Sequence, residues 1–151
     1  MGPHDTNEWL QVGFSGFPGS SSLSLYYEAA APNTPPHYHE LEAGLTPGTA
    51  RKVAVLEVRG RPNWWRVVVD DKAASAPIKL PGSHGAWSPT ATTESWGGGT
   101  PACNRFWFRF ARVSVASAPE RWGVLGAAYP FSDHGYRIVR RTRSSFLAGV
   151  G

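Results

Sequence analysis

The amino-acid sequence predicts an all-β protein, an antiparallel β-sandwich or jelly roll. Three observations carry that expectation. The 151 residues include 17 Gly and 13 Pro, and these turn formers recur at intervals of about ten residues. Between them lie short runs rich in Val, Ile, Phe, Trp and Tyr, the residue types that fit a pleated, half-buried surface. No stretch sustains the 3.6-residue apolar repeat of an amphipathic helix. The length suits one domain spanning residues 1–151, able to bury roughly two thirds of its unfolded surface.

Taken in order, residues 8–14 form the first expected strand. Trp9, Gln11 and Gly13 share one face, and Leu10, Val12 and Phe14 the other. Residues 15–22, rich in Gly and Ser around Pro18, turn the chain into a second strand over 23–30, so that the pair makes a hairpin with a long loop. The breaker at 32–36 precedes a short strand at 37–42. Residues 51–59 and 64–70 give the clearest hairpin, and Asp70-Asp71-Lys72 a turn. A short strand at 76–80 follows. The longest expected strand is 104–116, where Phe106, Phe108 and Phe110 alternate with Arg and Trp. Residues 119–130 read as a loop and 135–140 as the final strand.

Composition narrows the function classes. Cys103 is the sole cysteine, so no internal disulfide exists, and a small buried side chain is expected there. No run of about 18 apolar residues is present to span a membrane as a helix, and residues 1–5 lack the basic-then-apolar order of a signal peptide. Net charge is +4 with pI about 9.6, and much of the excess sits in Arg137, Arg140, Arg141 and Arg143. Solvated strand ends rank ahead of nucleic-acid binding, because no nucleic-acid motif accompanies these arginines. The Arg and aromatic interleaving at 105–112 could stack single-stranded nucleic acid, but a half-buried strand explains it more simply. The partner expectation is therefore a polypeptide or glycan, with neither nucleic acid nor membrane.

Among residues that carry chemistry, Glu94 stands out as the only acid between Asp71 and Glu120, in a stretch containing Trp87, Trp96 and Trp107. A carboxyl among aromatics tends toward a raised pKa, which suits general acid/base work near neutrality. The plain alternative is a solvated turn residue. His37 and His39 would face the same way on a strand, with Glu42 nearby, but the spacing to Glu42 is too short for a cupin-type ligand set and no later His completes one. The expectation is no metal and no cofactor. The adjacent acids Asp70 and Asp71 suit a solvated turn better than a dyad. Gly97-Gly98-Gly99 precedes neither a helical pattern nor a Lys-Ser/Thr pair, which rules out a phosphate-binding P-loop.

The order of several short motifs resembles the glutamic peptidases, the eqolisin family. Leu10-Gln11-Val12-Gly13 is similar to that family's Leu-Gln-x-Gly strand, Tyr26-Tyr27-Glu28 to its Trp-Tyr-Glu strand, and Thr93-Glu94-Ser95-Trp96 to its Ala-Glu-Trp segment with one residue inserted. Residues 110–115 resemble its closing Phe-x-x-Val-x-Val strand. The resemblance implies a concanavalin-like β-sandwich and a secreted peptidase. Glu94 would be its general acid/base and Gln11 would orient water and bind the oxyanion, with Trp9, Tyr26 and Trp96 lining the substrate cleft. With ten residues ahead of Gln11, such a sandwich would expose an N-terminal edge or borrow a strand from a partner or second copy. The other reading open to the same fold is a binding module without catalysis, using Trp and Tyr to grip a glycan or a protein.

Overall fold

The computed structural model describes residues 7–17, 20–95, 106–118, 121–125 and 129–150. Twelve strands and no helix lie among the described residues, and every strand pairing is antiparallel. The chain divides into two compact units, residues 1–88 and 89–151.

In the first unit, β1 (Trp9–Ser15), β2 (Leu23–Ala30) and β3 (His37–Leu45) form a meander in the order β1-β2-β3. The register sets Gln11 opposite Glu28 and Leu10 opposite Ala29, so the two faces separate as the period-2 pattern of β1 requires. A second sheet is built on β4 (Val53–Glu57) and β5 (Trp64–Val69), to which the short strands β6 (Lys72–Ala73) and β7 (Ile78–Lys79) add. The turn from β5 to β6 is Asp70-Asp71, with φ of 47° and 64°. Two consecutive left-handed residues match the right-handed twist of the flanking strands, and Asp tolerates that conformation better than most side chains. The expected turn is therefore present, and it launches a further strand.

One core joins the two sheets. Leu10, Val67 and Leu80 are buried at its centre. Val12, Tyr27, Ala29 and Leu41 pack on it from the first sheet, and Val55, Trp65, Val69 and Ile78 from the second. Two facing apolar sheet surfaces over a shared core are the elementary form of a sandwich. Past β7 the chain is tied down by polar contacts. The Trp65 indole N–H donates to Ser83 Oγ at 2.7 Å, the Ser83 hydroxyl donates to the Leu80 carbonyl at 2.6 Å, and Trp87 stacks on Trp65 at 4.4 Å. Satisfying the Ser83 hydroxyl and the indole inside the protein removes the desolvation cost each would otherwise carry.

In the second unit, β8 (Phe106–Phe110), β9 (Ser114–Ala118), β10 (Arg121–Val124), β11 (Arg137–Thr142) and β12 (Ser145–Val150) make a three-stranded sheet β11-β12-β8 and a separate β9–β10 hairpin. The single long strand expected over 104–116 is two strands. Arg112 at φ 56° turns the chain between them, and the Val113 N–H donates to the Ser144 carbonyl at 2.8 Å, fixing the corner. Residues 104 and 105 lie outside the described residues. The expected loop at 119–130 contains β10, and the final strand is followed by β12, in which Ala148 and Gly149 are the buried residues. The expected alternation of β8 is present. Phe106, Phe108 and Phe110 are half-buried while Trp107 and Arg109 are exposed, and Phe110 stacks on Phe146 at 4.5 Å.

Candidate functional site

Gln11 lies mid-strand on β1, on the face opposite the sandwich core. Hydrogen-bonded register places Glu28 directly across from it and Tyr26 one step along, and β3 adds Tyr38 and Glu40 opposite Glu28 and Tyr26. The Gln11 amide nitrogen donates to Glu28 Oε2 at 2.8 Å and to the Tyr26 hydroxyl at 3.2 Å. Tyr26 and Tyr38 stack at 4.9 Å with an interplanar angle of 16°, the Tyr38 hydroxyl meets Ser15 Oγ at 2.8 Å, and Ser24 Oγ donates to Glu40 at 2.6 Å. The result is a sheet face of two carboxylates, one amide, stacked phenols and hydroxyls, with Trp9 on the same side of β1. Both amide hydrogens of Gln11 are committed, so the group it retains for a water or ligand is its carbonyl oxygen. A face of this kind can accept an extended polar chain along the strands, offering hydrogen bonds and aromatic surface together.

Glu94 belongs to the second unit. Together with Thr92, Ser95, Phe131, Asp133 and Tyr136 it lines a recess of about 350 Å³, whose floor includes Phe146 and Ala148 of β12. The Tyr136 hydroxyl and Ser95 Oγ are buried there without hydrogen-bond partners among the described residues. Burial first, then the negative charges of Asp133 and Glu94, hold the Tyr136 phenol above its ordinary pKa, so it stays protonated and able to donate. Asp133 is paired with His134 at 3.2 Å, and its carbonyl accepts from the Tyr136 N–H at 2.8 Å. This recess can supply a carboxylate and two hydroxyls to one bound group.

The remaining expectations fall as follows. Gln11, Trp9 and Tyr26 are in the first unit and come together on one face, whereas Glu94 is in the second unit. Trp96, with Gly97–Gly99 and Cys103, lies outside the described residues. His37 and His39 are exposed on β3, His39 stacked on Tyr27 at 4.5 Å, while Glu42 is engaged by Arg51 at 2.8 Å. No group of three or more His, Cys, Asp or Glu side chains arranged to hold a metal ion occurs among the described residues.

Glu28, Tyr38 and Glu40 were not singled out from the sequence. The hairpin of β1 and β2 was legible, but the register that sets Glu28 against Gln11 came from the structure. Tyr38 and Glu40 were not legible, because a register shift between Leu25 and Tyr26 changes how β3 aligns with β2. Two further features also escaped notice. Glu57 holds His84 Nδ1 at 2.8 Å and accepts the Asn63 N–H at 2.8 Å. Glu8, just before β1, is 1% exposed with neither carboxylate oxygen partnered among the described residues, and desolvation raises its pKa.

The fold and this face define an antiparallel all-β protein with a polar, aromatic sheet surface. Comparison with known protein families, with curated proteins and with solved structures finds no match.

Proposed function

We propose that this protein is a glutamic-peptidase-like hydrolase on a concanavalin-like, jelly-roll sandwich, cleaving peptide bonds with Gln11, Glu94 and a water molecule. One observation supports the reading most: Gln11 is locked by Glu28 and Tyr26 at a set point of a sheet face suited to an extended chain. The Gln11 carbonyl oxygen accepts one hydrogen of the attacking water. Glu94 removes the other as the water oxygen bonds to the peptide carbon, and it then returns that proton to the leaving amine as the C–N bond breaks. The longer of the two amide contacts, to Tyr26, is the one that yields so that the Gln11 N–H can reach the developing oxyanion. By the same resemblance Trp9, Tyr26 and Trp96 would be the substrate-binding residues and the protein would be secreted.

The test is peptide cleavage measured from acid to neutral pH. Gln11→Ala lowers kcat about 10²–10³-fold, the usual loss for one oxyanion donor, and Glu94→Gln abolishes turnover. Activity retained by Glu94→Gln overturns the assignment.

A second reading, a non-catalytic module that binds a glycan or a protein segment, is favoured by the same contacts seen from the other side. An amide with both hydrogens engaged is a finished structural element, and the Tyr26–Tyr38 stack is a ready aromatic surface. It predicts saturable binding of oligosaccharide or peptide that weakens in Trp9→Ala, with no cleavage by the parent protein.

A further inference from the structure

Charge is unevenly divided along the chain. Residues 89–151 carry eight Arg, no Lys and three acids, a net +5, so residues 1–88 account for −1 of the overall +4. None of the seven described arginines of the second unit makes an ion pair among the described residues. By contrast, Arg51 and Lys52 of the first unit are both paired with acids. Uncompensated arginines on one unit create a lasting positive field, and the fold gathers part of them on one sheet face.

On that face the register sets Trp107 opposite Gly149 and Gly149 opposite Arg137. In the next row Arg109 faces Leu147, and Leu147 faces Val139. Trp107 is 44% exposed, and the residue directly opposite it on β12 is a glycine, which has no side chain to cover the indole. Arg109 and Arg137 are exposed beside it. At the end of the same strands, Arg109, Arg141, Thr142, Ser145 and Leu147 border a recess of about 420 Å³. Two guanidinium groups and two hydroxyls around one recess suit a phosphate, which Arg binds in bidentate fashion. A bare indole next to it suits a planar base.

We propose that the Trp107 face of β8, β12 and β11 binds single-stranded nucleic acid, with a phosphate in the Arg109–Arg141 recess and a base stacked on Trp107. Arginine without lysine, a flat aromatic platform and a sheet surface in place of a groove favour this occupant over an acidic protein, because every unit of a single strand carries a phosphate and a stacking base together. The salt dependence follows from the chemistry, since each phosphate neutralised releases counterions.

The full-length protein is titrated into a fluorescein-labelled oligothymidylate of about 12 nucleotides, a length within the span of known single-strand sites, and anisotropy is read at low and at near-physiological salt. Binding is expected, with indole emission quenched, and with affinity falling about 5- to 100-fold in Trp107→Ala and recovering in Trp107→Phe. Arg109→Ala with Arg141→Ala lowers the slope of log affinity against log salt by roughly 0.7 for each arginine. All these side chains are exposed at the surface, and thermal melting of each variant verifies folding. No binding at low salt overturns the proposal. So does binding indifferent to Trp107→Ala, or heparin or anionic vesicles bound as tightly as the oligonucleotide, which would mean a surface that reads charge alone.

Discussion

Replacing Glu8 by Met should stabilise the protein, and increasingly so as pH rises. Glu8 is 1% exposed and neither of its carboxylate oxygens has a partner among the described residues. Burial disfavours the charged form, so its pKa in the folded state lies above the ordinary carboxyl value of 4.5. The sign follows directly. Below the unfolded pKa both states hold the proton and the penalty is absent. As pH rises from there through the folded pKa, the unfolded chain gives up its proton more readily, and stability is lost over that interval. An unsatisfied buried polar group costs about 1–3 kcal/mol, and a volume-matched apolar side chain removes the cost without opening a cavity. At neutral pH Glu8→Met should therefore gain about 1–3 kcal/mol, or several °C in Tm for a chain of this length. The assay is urea unfolding followed by tryptophan fluorescence, parent beside variant, at pH 4 and pH 7.5. A difference between the two proteins that is the same at both pH values, or a variant less stable than the parent at pH 7.5, refutes the reasoning.

Two other substitutions probe the packing. Leu80 is fully buried at the centre of the core between the first unit's two sheets, so Leu80→Ala should cost about 2–5 kcal/mol, seen as a lower urea midpoint with an unchanged m-value. Gly149 sits on β12 where an added Cβ would meet the Phe106 carbonyl and, at 2.8 Å, the Trp107 Cα. Because both are backbone atoms that cannot swing aside, Gly149→Ala should lower stability by about 3 kcal/mol and shift thermal melting accordingly, whereas Gly123→Ala, with nothing near its Cβ position, should be far milder.

How much of this was legible in the sequence depends on the range of the physics. Alternation along β1 separated Gln11 from Leu10 and Val12, and the structure keeps that division, with the aliphatic residues in the core and Gln11 on the polar face. The β4–β5 hairpin and the Asp70-Asp71 turn were readable for the same reason, since strand pattern and turn chemistry are local. Arg112 was not readable. A left-handed arginine has no sequence mark, and without it β8 and β9 read as one strand. Nor was the burial of Glu8, a charged residue at the start of a strand, where nothing local marks a carboxyl for the interior.

By itself the sequence determined the all-β class, the faces of the strands and the residues worth testing, because a period of two and the preferences of turn residues act within a few positions of the chain. Only tertiary structure decided which groups meet. Pairing register set Glu28 against Gln11 and Gly149 against Trp107, and packing between sheets chose Leu80 and Val67 for the core. Those outcomes depend on contacts between residues far apart in the chain, where a shift of one position in register would exchange every partner.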